Sequence, residues 1–461
     1  MRIVLDLQAC QSLSRYRGIG RYSESLAISM INLLKNSEHE ILVVLNAAFR
    51  DTSNELLARL SLHMEPENIY FFSVVMPTIE KGNLTNLRAS EVLREHFIAS
   101  LKPDVVYLST LMGDGWGDST VVSINALPGV GAINVATHYD LIPLAFPDEY
   151  LGDQMFRDYY YHKLESLKKA DLLLGISEFT CQEVSQLLNV PDLEIRNISA
   201  AVDPSFSCGG LVGDARKAVL IKYKINKKFI FYAPGGFDPR KNLNRLLEAF
   251  SQIPLTIRNQ HQLVIASKIS KEELSDWNWK IESLGLSSDD VVFTGYVSDE
   301  ELTVLLSECL VYIFPSLHEG FGLPILEAMA CGAAVIGSNA SSIPEVIGMP
   351  DALFDPHSIE NIYAKLFQAL VDEGFLERLR EHSKKQFNKF SWDKSASIAL
   401  SAIEGKLYES LQIDNESCSR NKLPGIEEMK ELLKLKNIHM TDELSKKFEE
   451  CFSVNQLNLK K

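Results

Sequence analysis

The 461-residue sequence predicts an α/β protein of two Rossmann-like domains, each a parallel sheet covered by helices, with a short helical appendage at the C-terminal end. Three observations carry this prediction. Short apolar runs rich in branched and aromatic residues alternate with segments of helical period, the pattern of strands buried on both faces beneath crossover helices. The alternation runs twice, broken by a polar, irregular stretch after Asp203 that holds Pro204, Gly209, Gly210 and Gly213. A chain that is 46% hydrophobic and 23% charged also has the length for two or three separate cores.

The first series of candidate strands is RIVLDL, EILVVLN, IYFFSVV, DVVYLS, INVATH and DLLLGIS, and it assigns residues 1–205 to an N-terminal domain. The second is KFIFYAP, QLVIASK, DVVFTGYV, LVYIFPS and AAVIGSN, and it assigns 206–390 to a C-terminal domain, with a hinge near 200–225. FSWDKSA, Phe390 to Ala396, then opens a helical segment, 391–412, expected to cross back to the N-terminal domain. Residues 413–461 have a different character. After the polar DNESCSRNK, Pro424 suits the first turn of an amphipathic helix carrying Ile426, Met429, Leu432 and Leu433. Thr441 suits the N-cap of a second, short helix. This tail is expected to pack on the body of the protein or on a protein or membrane partner.

Composition narrows the function classes. A formal net charge of −15 argues against nucleic-acid binding, while local basic patches remain able to meet a phosphate or an anionic membrane surface. Seven scattered cysteines with no C-x-x-C pair read as free thiols and not as a metal site. The N-terminus lacks the zones of a signal peptide, and no apolar run approaches the ~20 residues of a membrane span. A soluble, cytoplasmic protein, peripheral at most on the inner face of the cell membrane, is therefore expected.

The segment FPSLHEGFGLPILEAMACGAAVIGS, Phe314 to Ser338, is the most informative. A strand end opens into a loop with Glu319, Gly320, Phe321 and Gly322, and Pro324 starts a helix that carries Glu327 near its N-terminus. Loops of this kind, after the carboxyl end of a strand and before a helix, are where doubly wound sheets bind phosphates. Glycines let backbone amides approach the ligand, and two acceptor-only carboxylates can hold hydroxyl groups to either side of a diphosphate. A solvated loop Glu319 and a Glu327 that only complements the helix dipole is the plainer reading. The pairing of both around a glycine-rich turn favours the ligand site.

HEGFGLPILEAMACG resembles the E-x7-E signature of family 4 of the retaining glycosyltransferases, which have the GT-B fold, two Rossmann-like domains facing across a cleft. The resemblance extends to about residue 411 and leaves out the tail. It implies sugar and diphosphate contacts for Glu319, Gly320, Phe321, Gly322 and Leu323, and a ribose contact for Glu327. YAPGGFDPRKNLNRLLEAF, Tyr232 to Phe250, resembles the family's pyrophosphate-binding segment. Lys241 matches the family lysine, whereas the usual arginine position is Gly236, which leaves Arg240 as the second cation. Two fixed positive charges there would neutralise a departing nucleoside diphosphate. In DVVFTGYVSDEEL, Gly295, Tyr296 and Val297 match the loop whose backbone reads the nucleotide base.

In the first half, RGIGRYS gives only G-x-G-x-x-S, some ten residues after the strand, so a nicotinamide site is weakly supported. The resemblance instead places Gly18 and Gly20 in a glycine loop bordering donor phosphates and acceptor, with Arg17 or Arg21 near an anionic acceptor. THYDLIPLAFPDEYL, Thr137 to Leu151, resembles the segment bearing a functional histidine or aspartate near the donor sugar. Asp140 matches; Tyr139 interrupts the usual His-Asp pair, so His138 is read equally as functional or as a structural strand-end residue. Ser177 reads as facing the cleft or as a helix N-cap. Ala200-Ala201 replaces the family's Asn-Gly, while Val202, Asp203, Pro204 and Phe206 are kept. MGDGWGDS around Trp116 resists interpretation.

No D-x-D stands at a strand end, so no carboxylate pair for a metal-bridged diphosphate is evident. The resemblance implies a metal-independent retaining hexosyltransferase with no cofactor. Its substrates would be a nucleotide-sugar donor, with GDP-mannose the first candidate, and a glycan or lipid-linked saccharide acceptor of surface polysaccharide synthesis. The rival readings are a GT-B subunit that binds without turnover, and a sugar-nucleotide epimerase or phosphorylase.

Overall fold

The computed structural model describes all residues except 80–83, 113–117, 130, 191–192, 204, 207–212, 414–422 and 461, together with the side chain of Ile413. The loop around Trp116, the DNESCSRNK stretch, Pro204, Gly209, Gly210, Cys208 and Cys418 therefore lie wholly or largely outside the described residues. The chain forms two compact units. One comprises Met1–Ile176, Thr180–Ser199 and Trp392–Lys461; the other comprises Ser177–Phe179 and Ala200–Ser391.

The first unit holds a seven-stranded parallel sheet in the order β3-β2-β1-β4-β5-β6-β7. Its strands are β1 (Arg2–Asp6), β2 (Glu40–Asn46), β3 (Ile69–Phe72), β4 (Val105–Leu108), β5 (Ile133–His138), β6 (Leu172–Gly175) and β7 (Glu194–Asn197). Six of these are the apolar runs of the first series. β7, with the sequence EIRN, is an addition, an edge strand too polar to stand out as a buried one. The central strands are Val/Ile/Leu-rich because helices cover both faces. The carboxyl ends of β1 and β2 carry a buried polar network. Asp6 accepts from Arg94 Nε at 2.6 Å and from Gln8, and Gln8 Oε1 accepts from Asn46 Nδ2 at 3.0 Å. Arg94 and Asp6 are 1% and 2% exposed, so each charge depends on the other for its solvation.

Helix α1 (Gly18–Leu34) buries Tyr22, Leu26 and Met30, and α2 (Thr85–Ser100) buries Leu87, Leu93 and Phe97. The chain returns to this unit through α5 (Trp392–Ile413), which packs along α1. Trp392 meets Tyr22 edge-on at 5.0 Å, and Ser29 donates to Asp393 at 2.5 Å. The tail supplies α6 (Ile426–Leu435) and α7 (Asp442–Asn458). Two expectations for it are corrected. Pro424 precedes the first helix, which begins after Gly425, whose N–H is taken by Glu428. The second helix is 17 residues long, with Thr441 accepting from Leu444 N–H as its N-cap. Met429, Leu433, Leu444 and Phe448 form a core with Val75, Ala89, Val92 and Leu93. Each such side chain, once buried, contributes roughly 1.5–3 kcal/mol.

The second unit is a six-stranded parallel sheet in the order β10-β9-β8-β11-β12-β13. The strands are β8 (Lys228–Tyr232), β9 (His261–Ile265), β10 (Val291–Phe293), β11 (Val311–Phe314), β12 (Val335–Ser338) and the two-residue β13 (Leu353–Phe354). Helices α3 (Leu243–Ser251) and α4 (Leu323–Ala330) follow β8 and β11. The strand order reverses between β8 and β11, so loops leaving the carboxyl ends of these two neighbours open a crevice above the sheet.

Candidate active site

Both cationic and acidic candidates of the second unit stand at that reversal. β8 leads into a loop whose Gly235 has φ +71 and where a Cβ at Gly235 or Gly236 would meet nothing within 4 Å. The loop then tightens into a 3-10 turn, Pro239–Lys241, with Asp238 accepting from Arg240 N–H at 3.0 Å. Asn242 follows in the left-handed region, φ +61, and is 3% exposed. Its amide donates to Pro315 O at 3.0 Å and Pro356 O at 2.7 Å, while Leu317 N–H donates to Arg240 O at 2.7 Å. These bonds tie the loop after β8 to the loop after β11.

The result is an ion triad. Lys241 Nζ lies 2.6 Å from Glu319 Oε1, and Arg240 Nη1 lies 2.9 Å from Glu319 Oε2 and 2.9 Å from His318 O. Burial alone would raise the Glu319 carboxyl, but the charges of Lys241 and Arg240 outweigh it and hold the group below the usual carboxylate range. Burial, joined by the charge of Arg240, holds the Lys241 ammonium below its ordinary range despite Glu319. Asp238 Oδ1 also lies 3.7 Å from Arg240 Nε, so two carboxylates balance two cations in a poorly solvated place, where the cations remain fixed donors for a polyanionic ligand.

The backbone of the same loop adds donors. Gly322 takes φ +114 as the N-cap of α4, where a Cβ would press on Ile325 Cδ1 at 3.0 Å, so glycine is required. Gly320, Phe321 and Gly322 are buried residues whose N–H groups meet no acceptor among the described residues. Three consecutive amides in buried residues, without acceptors among the described residues, are uncommon, and such a run of N–H groups can receive an anion. Leu323 is the first residue of α4, and Glu327 lies half-buried further along the same helix. Ser177, which falls within the second unit, donates to Gly320 O at 2.6 Å. After β10, Gly295 has φ +71, Tyr296 is 76% exposed and Val297 is half-buried.

In the first unit the candidates divide between the start of a helix, with Gly18 and Gly20, and one cavity, with His138 and Asp140. Gly18 and Gly20 are not in a loop but open α1, after two 3-10 turns. A Cβ at Gly20 would fall 2.3 Å from Ser14 O, so close backbone packing explains this glycine. Arg17 is exposed at the α1 N-cap, and Arg21 is half-buried in the first turn. Asp140 accepts from Ile142 N–H at 3.2 Å beside a cavity of about 330 Å³. Tyr139 turns toward α1, its hydroxyl 2.9 Å from Ser23 Oγ and 3.0 Å from Ser109 O. His138 is 2% exposed, and burial pushes its imidazole down to about 4, so it is neutral at pH 7. Its Nε2 is buried with no hydrogen-bond partner among the described residues, and the residue lines the same cavity as Asp140.

Sequence reasoning did not single out Asn242, Ser341 or Ser342. Ser341 Oγ accepts from Glu319 N–H at 2.9 Å, and Ser342 Oγ reaches Glu319 O and Phe321 O, both at 2.8 Å. Asn is among the residues that enter the left-handed region most readily, but nothing in the linear sequence joins Ser342 to Glu319.

Two parallel α/β units, the second with its strand order reversing at β8 and β11, place the chain in the GT-B class. Residues 217–386 match the family of glycosyl transferases group 1. The chain is 36% identical over 417 residues to the serotype-specific mannosyltransferase WbdA of Escherichia coli, covering 90% of this chain and 49% of that protein. It is 31% identical over 275 residues to O-antigen chain mannosyltransferase B of Escherichia coli, covering 59% of this chain and 70% of the relative. The chain belongs to the group 1 glycosyl transferases. It spans about half the length of the WbdA sequences, 46% to 49%. Anabaena HepE in complex with UDP and glucose shares the fold, with TM-score 0.61 and 16% identity over 88% of this chain and all of that one (100%). Among the described residues no helix is long and apolar enough to cross a membrane, and the five described cysteines are free.

Proposed function

We propose that this chain transfers mannose from GDP-mannose to a saccharide acceptor, glycan or lipid-linked, in O-antigen-type polysaccharide synthesis, with retention of anomeric configuration and without a catalytic metal. One observation carries the reading: Arg240, Lys241 and three amides without acceptors among the described residues stand where the second sheet reverses its strand order. The mannosyltransferase names of the two Escherichia coli relatives support the choice of sugar.

In the proposed reaction the bond from the anomeric carbon to the β-phosphate oxygen breaks, and the acceptor oxygen bonds to that carbon on the same face. The acceptor proton passes to a β-phosphate oxygen. Negative charge grows on the diphosphate as the bond breaks, so fixed cations and preorganised amides lower the barrier more than they stabilise the bound donor. Glu319 holds both cations in place and presents a carboxylate for a sugar hydroxyl; Glu327 offers one for the ribose. With the leaving group held this way, no divalent ion is needed.

The test is release of nucleoside diphosphate from GDP-mannose and other common donors by the full chain, with saccharide acceptors, with and without EDTA. Lys241→Ala and Glu319→Ala serve as controls. Release that survives EDTA and is lost in both variants is expected. A wild type that releases nothing from any donor would sink the proposal.

A further inference from the structure

We infer that Ser342 is a positioning residue for the diphosphate: its hydroxyl turns two peptide groups of the Glu319–Gly322 loop so that the N–H groups of Gly320 and Gly322 face the leaving group. The inference rests on the glycosyltransferase reading above and extends it to a residue outside the donor-contacting loop.

Ser342 occupies the N-cap of the short helix Ile343–Ile347, where a serine ordinarily accepts from its own helix. It makes no such bond. The side chain, 0% exposed, instead shares its one proton between Glu319 O and Phe321 O, both at 2.8 Å. The preceding residue supports this diversion. Ser341 adopts φ +51, an uncommon conformation for a side-chain-bearing residue, and its hydroxyl accepts from Glu319 N–H at 2.9 Å. Two successive serines from the loop after β12 thus hold the loop after β11.

The consequence follows from the planar trans peptide, in which C=O and N–H point in opposite directions. Glu319 O belongs to the same peptide as Gly320 N–H, and Phe321 O to the same peptide as Gly322 N–H. Anchoring both carbonyls on one hydroxyl therefore sends both N–H groups away from Ser342. These are two of the three consecutive amides with no acceptor among the described residues. A helix cap or a packing role explains neither the forgone cap nor the orphaned donors. An anion on the far side of the loop explains both.

The experiment is calorimetric titration of the full chain with GDP and GMP, and with UDP and UMP, for wild type, Ser342→Ala and Ser338→Ala, alongside kcat and KM for donor turnover. Ser338 is an equally buried serine whose hydroxyl accepts from Ala340 N–H and, among the described residues, has no hydrogen bond to the Glu319 loop, so it reports the general cost of losing a buried hydroxyl. Wild type should prefer the diphosphate over the monophosphate. Ser342→Ala should reduce that preference about tenfold, leave monophosphate affinity within about twofold, and lower kcat about tenfold or more. Ser338→Ala should keep the preference. If Ser342→Ala melts below the assay temperature, Ser342→Cys, close in size and a weaker donor, is read by the same criteria. A variant that keeps the full diphosphate preference overturns the inference and leaves the proposed function standing. A wild type that binds none of the four nucleotides overturns both.

Discussion

Lys241 and Glu319 are 78 positions apart in sequence, yet their charged groups meet at 2.6 Å in a site where each side chain is 12% exposed. Breaking such a pair from one side leaves the other charge poorly solvated, which costs about 3–5 kcal/mol for a fully buried pair. The two sides are not equivalent here. Without Lys241, Glu319 still has Arg240; without Glu319, Lys241 loses its carboxylate and Arg240 keeps only the longer 3.7 Å pair with Asp238. Glu319→Ala should therefore destabilise the protein more than Lys241→Ala, by about 1–2 kcal/mol in urea unfolding. Equal losses would mean that Arg240 does not share the carboxylate.

The hinge of the crevice floor is Asn242. Its left-handed φ and its two amide bonds to Pro315 O and Pro356 O are separable. Asn242→Gly keeps the backbone conformation and loses the bonds; Asn242→Ala loses both. Leaving two carbonyls unpaired should cost about 2 kcal/mol in either variant, with about 1 kcal/mol more in the alanine. Thermal melts would rank them wild type, glycine, alanine. An alanine variant as stable as the glycine one would show that the conformation carries no strain.

Acid sensitivity should have a component from His138. The unfolded chain protonates this histidine below its ordinary pKa of 6.5, while the folded chain resists down to about 4. Across that window the unfolded state binds more protons, so stability falls as pH falls, by about 3 kcal/mol at most. Glu91, whose burial is outweighed by Lys163 and His162, is held down to about 2 and adds a further loss below 4.5. His138→Leu should flatten the decline between pH 6.5 and 4 and leave the steeper fall below it. An unchanged slope in that variant would assign the decline to other groups.

The strands buried on both faces were readable because parallel sheets need continuous apolar runs, and the glycine-rich turns were readable because their backbone needs are local. Edge elements were not. EIRN of β7 is half-exposed, and β13 is only two residues, too short for any pattern. IYFFSVV reads as a longer strand than β3 because the hydrogen-bonding groups of Ser73 are taken by a residue 382 positions away. The site divides along the same line. Glu319, Lys241 and the glycines announce themselves by local motif. That one carboxylate grips both cations, and that Ser342 orients the loop, depends on which strands the topology makes neighbours.

That distant partner of Ser73 yields a test of the tail. Asn455 accepts from Ser73 N–H at 2.6 Å and donates to Ser73 O at 3.2 Å, while Asn458 donates to Phe71 O at 2.8 Å. β3 is the outer strand of its sheet, so α7 supplies with side-chain amides what an eighth strand would supply with backbone. An uncovered strand edge pairs with other chains. Ending the chain at residue 412 removes this cover and also exposes Val92 and Leu93, which α6 and α7 bury. The truncated protein should self-associate in sedimentation or light scattering. The milder Asn455→Ala loses only the Ser73 pair and should stay monodisperse relative to the intact chain, with stability lower by about 1–3 kcal/mol. A truncated chain that matched the full chain in both association state and melting would show that the tail is held for some purpose other than closing this sheet.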